Sequence, residues 1–437
     1  TRQPARRAAK AARAGQVSGR RQFAILSSRN VKILTRDRVS LLLMLASAPL
    51  IAMLDVLLSL ILGRNLFDHV DGNMENALIT LFQPGTLAVM VGALAMMREF
   101  VKETDIYKRE RLVNLKVLPY VGSKLWVAAL LALYQAAVYT VVHYLSFDMP
   151  GGLLEFGMVY VTLLLATLGG MILGLLASAI APNANAAPLI VILFVIPQVV
   201  LGGALIPVPT TASAPTAARW SFEAMVGISG AGSDLAADSC WALPEEEREE
   251  LSLDEKQERG CPCMGYNALD PDSCNFPGLG AYYDAALDAD EPVAPAPLGD
   301  PPAEPAPPPR PEAPADPSDT EAVGRYLQEL EAYQQQVDDL QAAYRADMAR
   351  YQARADAFKA DSERYQRTLA DWSISRSSAV SRAEGLLSRY YDDFGWTFVD
   401  KDDDAVFWPR MLRAWGAQVL MIVTLFFVIL FAISRKA

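Results

Sequence analysis

Six long apolar runs decide most of what this chain can fold into. Residues 39–62, 77–97, 125–145, 153–181, 187–208 and 413–434 are each long enough to cross the hydrocarbon of a bilayer as a helix. In lipid a single segment of this length satisfies its backbone polar groups only by coiling into a helix. The runs therefore predict an all-α integral membrane protein with six transmembrane helices. Three of the runs are irregular. Pro49 and Asp55 fall inside the first, Pro197 interrupts the fifth, and Gly169, Gly170 and Gly174 sit in the fourth.

The charges orient these spans. Residues 1–38 hold eleven Lys/Arg and one acid, Asp37; they read as a basic arm running into an interfacial helix over residues 22–38, with its cations at the lipid phosphates. The elbow between the second and third runs, residues 98–124, holds seven Lys/Arg against four acids, and the tail after the sixth run carries Arg435-Lys436. Loops 63–76 and 146–152 are acidic or nearly neutral. The positive-inside rule then places both termini and the basic elbow in the cytoplasm of a cell whose plasma (inner) membrane the chain spans. Residues 208–409 become a single extracytoplasmic insertion between spans five and six. That insertion carries 39 acids and 16 bases, so nucleic acid is not a partner of the chain as a whole.

Within the elbow, Leu112, Leu115, Val117 and Leu118 are spaced to cover one side of a short helix over 106–118, which Pro119 should break. The run Ile106-Tyr107-Lys108-Arg109-Glu110-Arg111, followed by Leu118-Pro119-Tyr120 and Ser123-Lys124, resembles the first intracellular loop of type-2 ABC exporter permeases, similar to the G-subfamily half-transporters and their bacterial relatives. A second stretch carries the same resemblance: Ile196-Pro197-Gln198, Gly202-Gly203 and Pro207, then Arg219-Trp220 and Glu223-Ala224. The resemblance implies a coupling helix, with Tyr107, Lys108, Arg109, Glu110 and Arg111 resting on an ATPase domain. It also implies a connecting helix ahead of the first span and a re-entrant hairpin bearing Arg219, Trp220 and Glu223. The protein would then be a permease of an ATP-driven exporter, working as a homodimer or as a heterodimer with a related permease. Its substrate would be lipid-like, amphipathic or polymeric, moved by alternating access. No GxxxxGK[ST] occurs, so ATP and Mg belong to an associated ATPase, either a partner or a domain fused ahead of Thr1. This chain itself offers no catalytic residue, cofactor site or metal motif.

Candidate residues along a substrate pathway or gate are Asp55, Tyr139, Pro197, Gln198, Gly202 and Gly203. Asp55 is the one acid deep in a span, where carboxylates face the interior and are often functional. Tyr139 belongs to a polar stripe of the third span with Tyr134, Gln135 and His143. Gln198 adjoins the Pro197 kink, and the glycine pair permits close backbone approach.

The insertion departs from the resembled family in its length. Its first part, 208–290, holds all four cysteines: Cys240, Cys261, Cys263 and Cys274. On an oxidising side these predict two disulfides, with Cys261 and Cys263 too close in sequence to pair with each other; a zinc site is the alternative. Residues 291–318 form a stiff Pro/Ala/acid spacer. In 319–372 Val323, Leu330, Val337, Tyr344, Tyr351, Phe358, Tyr365 and Trp372 recur every seven residues, with Leu327, Tyr333, Leu340, Met348 and Leu369 as a second seam. This predicts a coiled coil that pairs with a second copy, or folds back on a helix in the return segment 373–409, before the sixth span and tail at 410–437. Its role would be a stalk or dimer staple, or a docking element for an envelope partner. Two rival functions use the same architecture: an ABC-type mechanotransmission protein, and an ATP-independent scaffold that displays the coiled coil.

Overall fold

The computed structural model describes residues 17–205 and 208–436, and among these there are helices but no strand. The first sixteen residues of the basic arm, and Ile206 and Pro207 of the fifth run, lie outside the described residues. In order, α1 is Gly19–Arg36, α2 Arg38–Leu62, α3 Met74–Met96, α4 Thr104–Leu112, α5 Val117–Ser146, α6 Leu153–Ile180, α7 Ala187–Val200, α8 Ala217–Ser229, α9 Thr320–Phe394 and α10 Asp404–Arg435, with several single-turn helices between α8 and α9. Local signals start several of them. Ser18 accepts a hydrogen bond from the Arg21 amide at the start of α1, Asn73 from the Asn76 amide before α3, and Asp403 from the Ala405 amide before α10.

Five helices among the described residues are long and apolar enough to cross a membrane: α2, α3, α5, α6 and α10. The fifth run behaves differently from the expectation. It is helical over only 14 residues as α7, about 21 Å at 1.5 Å per residue, short of the roughly 30 Å hydrocarbon core. The chain turns just past it, where Gly203 adopts φ +92°, a left-handed conformation that an L side chain resists. After the turn, α8 returns with all thirteen of its residues buried, packed among α3, α6, α7 and α10.

The chain divides into two compact units. One is Asp284–Ala379; the other comprises the rest. The larger unit is centred on α3 and α6, whose backbones nearly touch. A Cβ added at Gly170 would lie 2.1 Å from the Val89 carbonyl oxygen, and one at Gly174 would lie 2.2 Å from that of Ala93. Small residues at a helix crossing allow this approach, and dispersion between the closely packed surfaces then holds the pair. Around this pair lie α5, α10 and α8. The first span, α2, is peripheral: Leu42, Leu43, Leu50, Leu57 and Leu60 all face outward.

The larger unit also includes a polar cap made of residues 230–283 and the last turns of α9. The Cys240 and Cys261 sulfurs lie at bonding distance, as do those of Cys263 and Cys274. Asp238 organises the loops between them, its two carboxylate oxygens accepting from the Cys240 amide at 2.8 Å and the Cys263 amide at 2.9 Å. Burial pushes its carboxyl up, while those two amides pull it down. Although Asp238, Cys240 and Cys261 cluster closely enough to resemble a metal site, the sulfurs are taken up by each other and the carboxylate by amides. Trp241 packs on Tyr391, Phe276 on Tyr390, and Lys256 pairs with Glu384 at 2.8 Å, which fixes the end of α9 to the cap.

The smaller unit consists of residues 284–319 alongside the first part of α9. Two periodicities coincide here. On α9 all eight heptad residues from Val323 to Trp372 are half-buried, and so are Tyr326, Tyr333, Leu340, Met348 and Leu369. Leu327, expected on the second seam, is exposed, and Tyr326 takes its place. On the spacer, Pro292, Pro295, Leu298, Pro302, Pro305, Pro308, Pro311 and Pro314 are half-buried, while most residues between them are exposed. A three-residue repeat is that of a polyproline II helix. The Trp372 indole donates to the Ala289 carbonyl at 2.7 Å, and the Arg376 guanidinium donates to that of Leu287. The spacer therefore starts beside Trp372 and returns antiparallel along the aromatic seam to the start of α9. At ~3.1 Å per residue against ~1.5 Å in an α-helix, the two pieces have matching lengths. This revises the sequence reading in two respects. The seam faces the chain's own prolines, and α9 continues unbroken to Phe394, so the segment after 372 extends the helix and does not fold back on it.

Candidate coupling elbow and intramembrane ties

The elbow folds differently from the expected helix over 106–118. Its helix, α4, ends at Leu112, and Asn114 takes a left-handed conformation (φ +80°) that lets the Leu115 amide close on the Glu110 carbonyl at 3.1 Å. Leu115, Val117 and Leu118 thus lie beyond α4. Pro119 does not break a helix; it sits in the first turn of α5, where an amide would lack an intrahelical partner anyway.

One side of α4 is anchored. Tyr107 is buried, stacks on Tyr120 with ring centroids 4.8 Å apart, and donates its hydroxyl to the Ile433 carbonyl of α10. Glu110 pairs with Arg29 of α1 at 2.6 Å, and Arg111 donates to the Leu115 carbonyl at 2.7 Å. Gln22 of α1 clamps the following loop, donating to the Asn114 carbonyl and accepting from the Lys116 amide. The other side is bare. Lys108 and Arg109 are exposed, Ile106 is 49% exposed, and Leu112 and Val113 are 88% and 82% exposed.

A compact ionic core lies behind the elbow. Lys124, only 3% exposed, meets Glu103 at 2.8 Å and Glu99 at 3.1 Å; Tyr120 donates to Glu103 at 3.3 Å, and Lys102 also pairs with Glu99. Next to Lys124, Asn30 of α1 donates to Ser123 of α5 at 3.1 Å. These bonds fasten the connecting segment, the elbow and α5 into one piece.

Two further polar ties cross the helices of the larger unit. Asp55 of α2 accepts from Gln83 of α3 at 3.0 Å and stands 3.0 Å from Nδ1 of His143 of α5. Tyr139 is buried one turn before His143, with no hydrogen-bond partner for its hydroxyl among the described residues. The second tie surrounds α8. Gln198 of α7 accepts from the Ala217 and Ala218 amides at 2.8 and 3.3 Å, and so caps the start of α8. Within α8, Glu223 lies 3.3 Å from Arg219 and 3.2 Å from Arg410 of α10, and the Arg219 guanidinium is sandwiched between the rings of Trp220 and Trp396. Gly203 lies against Trp396 and Gly202 against Phe82, leaving no room for a side chain at either position.

Of the residues singled out from sequence, the structure gathers Tyr107–Arg111 at the elbow. It brings Gln198, Arg219, Trp220 and Glu223 into one cluster around α8, with Gly203 against its Trp396. Asp55 and Tyr139 are at a separate place. Gln198 is buried and caps the start of α8. The polar partners Gln83, Arg29, Glu99 and Glu103 escaped sequence reading, and Lys124 was noted only as part of the Ser123-Lys124 pair. Gln83 offered a signal, as an amide inside an apolar run that also holds a carboxylate's potential mate. Arg29 and Glu99 offered none, because charges near span ends are common.

Residues 21–225, which hold most of α1, all of α2 to α7 with the elbow, and most of α8, match the ABC-2 type transporter family. Those residues are an ABC-2 type transporter membrane domain. Among known proteins the chain is similar to the ABC transporter ATP-binding/permease protein Rv1747 of Mycobacterium tuberculosis, with 29% identity over 221 residues. That match covers 47% of this chain and 25% of the relative, so the chain corresponds to a minor part of that protein's length.

Proposed function

We propose that this chain is the permease portion of an ATP-driven exporter, and that α4 is the element on which the ATPase rests. The observation that carries this is the bare tip of the elbow: Leu112 and Val113 stand exposed beside Lys108 and Arg109, while the opposite side of the same helix is locked to α1, α5 and α10. Exposed apolar residues on a rigid support suit a docked partner. The relative's description as an ATP-binding/permease protein supports pairing with an ATPase, which would hold ATP and Mg. In this reading both termini are cytoplasmic, α7 serves as the fifth of six spans with α8 as a re-entrant hairpin, and the cap and α9 lie outside the cytoplasm, where the two cysteine pairs form disulfides. Two permeases, identical or related, enclose the pathway. The turn at Pro197, Gly202 and Gly203 shapes its outer end, and Asp55 and Tyr139 serve it from within the helices. The substrate class is lipid-like, amphipathic or polymeric. Because the aromatic seam of α9 is covered in cis, the stalk acts as a self-contained strut toward envelope partners, and dimerisation falls to the membrane helices.

The test is vanadate-sensitive ATPase activity and ATPase retention in the purified complex, comparing wild type with Leu112→Asp and Arg109→Ala. Loss of the ATPase, or of the link between substrate and hydrolysis, is the expected result. Full retention of both in the two variants would remove α4 as the docking element.

A further inference from the structure

A cavity of about 540 Å³ opens between the α1–α2 junction, α3, the elbow and α5. Its volume falls within the range of small-molecule sites, and its lining is segregated. Leu43, Met44, Leu94 and Leu131 form an apolar wall along the spans, whereas Arg98, Lys102 and the Lys124 core lie at the elbow end. The two acids of that core are balanced by two lysines, Glu99 meeting Lys124 and Lys102 and Glu103 meeting Lys124, with a hydrogen bond to Glu103 from Tyr120. Arg98 has no ion-pair partner among the described residues and is exposed on the cavity side of the elbow. Asp37 also lines the cavity, close in sequence to the start of α2. Leu43 and Leu94 are 66% and 41% exposed, an apolar surface that no described residue covers.

We propose that this cavity binds one phosphate-bearing membrane amphiphile. Its head lies at Arg98, and its acyl part lies against Leu43, Met44, Leu94 and Leu131. The Arg98 guanidinium at one end and the aliphatic wall at the other match the two ends of a phospholipid, and the segregation follows the depth expected at a membrane face, where cations meet phosphates and side chains deeper in meet chains. The site lies against α2 and the connecting helix, away from α7, α8 and the Gly203 turn, and it does not depend on which substrate the protein moves. A lipid held there bridges α2, otherwise peripheral, to the elbow.

The experiment uses the full chain in nanodiscs containing a trace of phosphatidylethanolamine with a diazirine on its acyl chain. After irradiation, labelled peptides are mapped by mass spectrometry. The expected result is saturable labelling of peptides around Met44, Leu94 and Leu131, above that at the outward-facing Leu60 and Phe431. Leu94→Trp, which fills the wall, should abolish the cavity labelling while leaving the Leu60 and Phe431 peptides unchanged. Arg98→Gln should shift saturation to higher probe fractions. Met44→Trp replaces Leu94→Trp if the latter does not fold, and the wild-type ratio between cavity and outer peptides decides by itself. Equal labelling at cavity and outer positions, unaltered by either tryptophan, would show only annular lipid and overturn the proposal. Displacement of the probe by inorganic phosphate alone would also overturn it, assigning the site to a free anion.

Discussion

The Arg29 guanidinium stands 2.6 Å from the Glu110 carboxylate, joining the helix ahead of the first span to the protruding elbow helix. Both side chains are about one-third exposed, so the pair behaves as a surface ion pair worth up to about 1 kcal/mol. Its effect should therefore appear in coupling and not in folding. Glu110→Ala is expected to leave the thermal midpoint nearly unchanged and to loosen the dependence of ATP hydrolysis on transport. Exchanging the charges, with Arg29→Glu and Glu110→Arg together, should restore that dependence. An uncoupled single variant that the exchange does not rescue would mean that Glu110 acts through another contact.

Lys124 is the reverse case. It is almost fully buried with two carboxylates, and removing one member of such a group leaves charge without compensation, at a cost of about 3–5 kcal/mol. Lys124→Met should sharply lower the unfolding temperature and the yield of monodisperse protein in detergent. Adding Glu103→Gln should recover part of the loss, because one orphaned charge is then gone. Size-exclusion profiles after graded heating read both effects.

The Asp55 tie joins three helices through one carboxylate. Asp55→Leu leaves the Gln83 amide and the His143 ring facing apolar surroundings, at a cost of about 1–3 kcal/mol. Asp55→Asn retains one acceptor and should cost less. Replacing all three polar groups together, with Asp55→Leu, Gln83→Leu and His143→Phe, should recover stability lost in the single Leu variant. Should transport fail in this triple variant while stability returns, the tie serves the transport cycle as well as the fold.

The stalk makes a prediction about association. With its own prolines on the seam, the full chain carrying Tyr344→Cys should show little disulfide cross-linking between copies through that residue. Replacing residues 292–314 with an equally long Gly/Ser segment uncovers Tyr344, Tyr351 and Phe358, and cross-linking should then rise. Strong cross-linking in both forms would return the seam to a coiled coil between copies.

Much of the membrane body could be read from the sequence because the bilayer imposes a coarse rule of length and polarity, which α2, α3, α5, α6 and α10 all obey. The elbow was legible through its charges, but its helix boundary was not. Asn114 in a left-handed turn ends α4 seven positions after Tyr107, a local choice that apolar spacing at Leu115 and Leu118 masked. The shortness of α7 was hidden because composition does not reveal where a glycine pair turns the chain. The cap that Gln198 supplies was not legible, because an amide in an apolar run has no obvious use until α8 brings two unpaired amides to it. The heptad on α9 was visible, yet a heptad states only that one stripe needs cover. It does not name the cover, and here a three-residue proline repeat supplies it.

Those two repeats do not keep equal pace. Seven helical residues advance about 10.5 Å, whereas three residues of polyproline advance about 9.3 Å. Left alone, the spacer would fall behind the seam with every step. The half-buried positions advance by three residues everywhere except once, between Leu298 and Pro302, where the step is four. That single extra residue recovers about 3 Å of the roughly 8 Å that the spacer would otherwise lose over the seven steps. The strut can therefore be lengthened or shortened only by changing both strands together, one heptad against one proline triplet, and an insertion in either alone would put its aromatic rings out of step with the prolines.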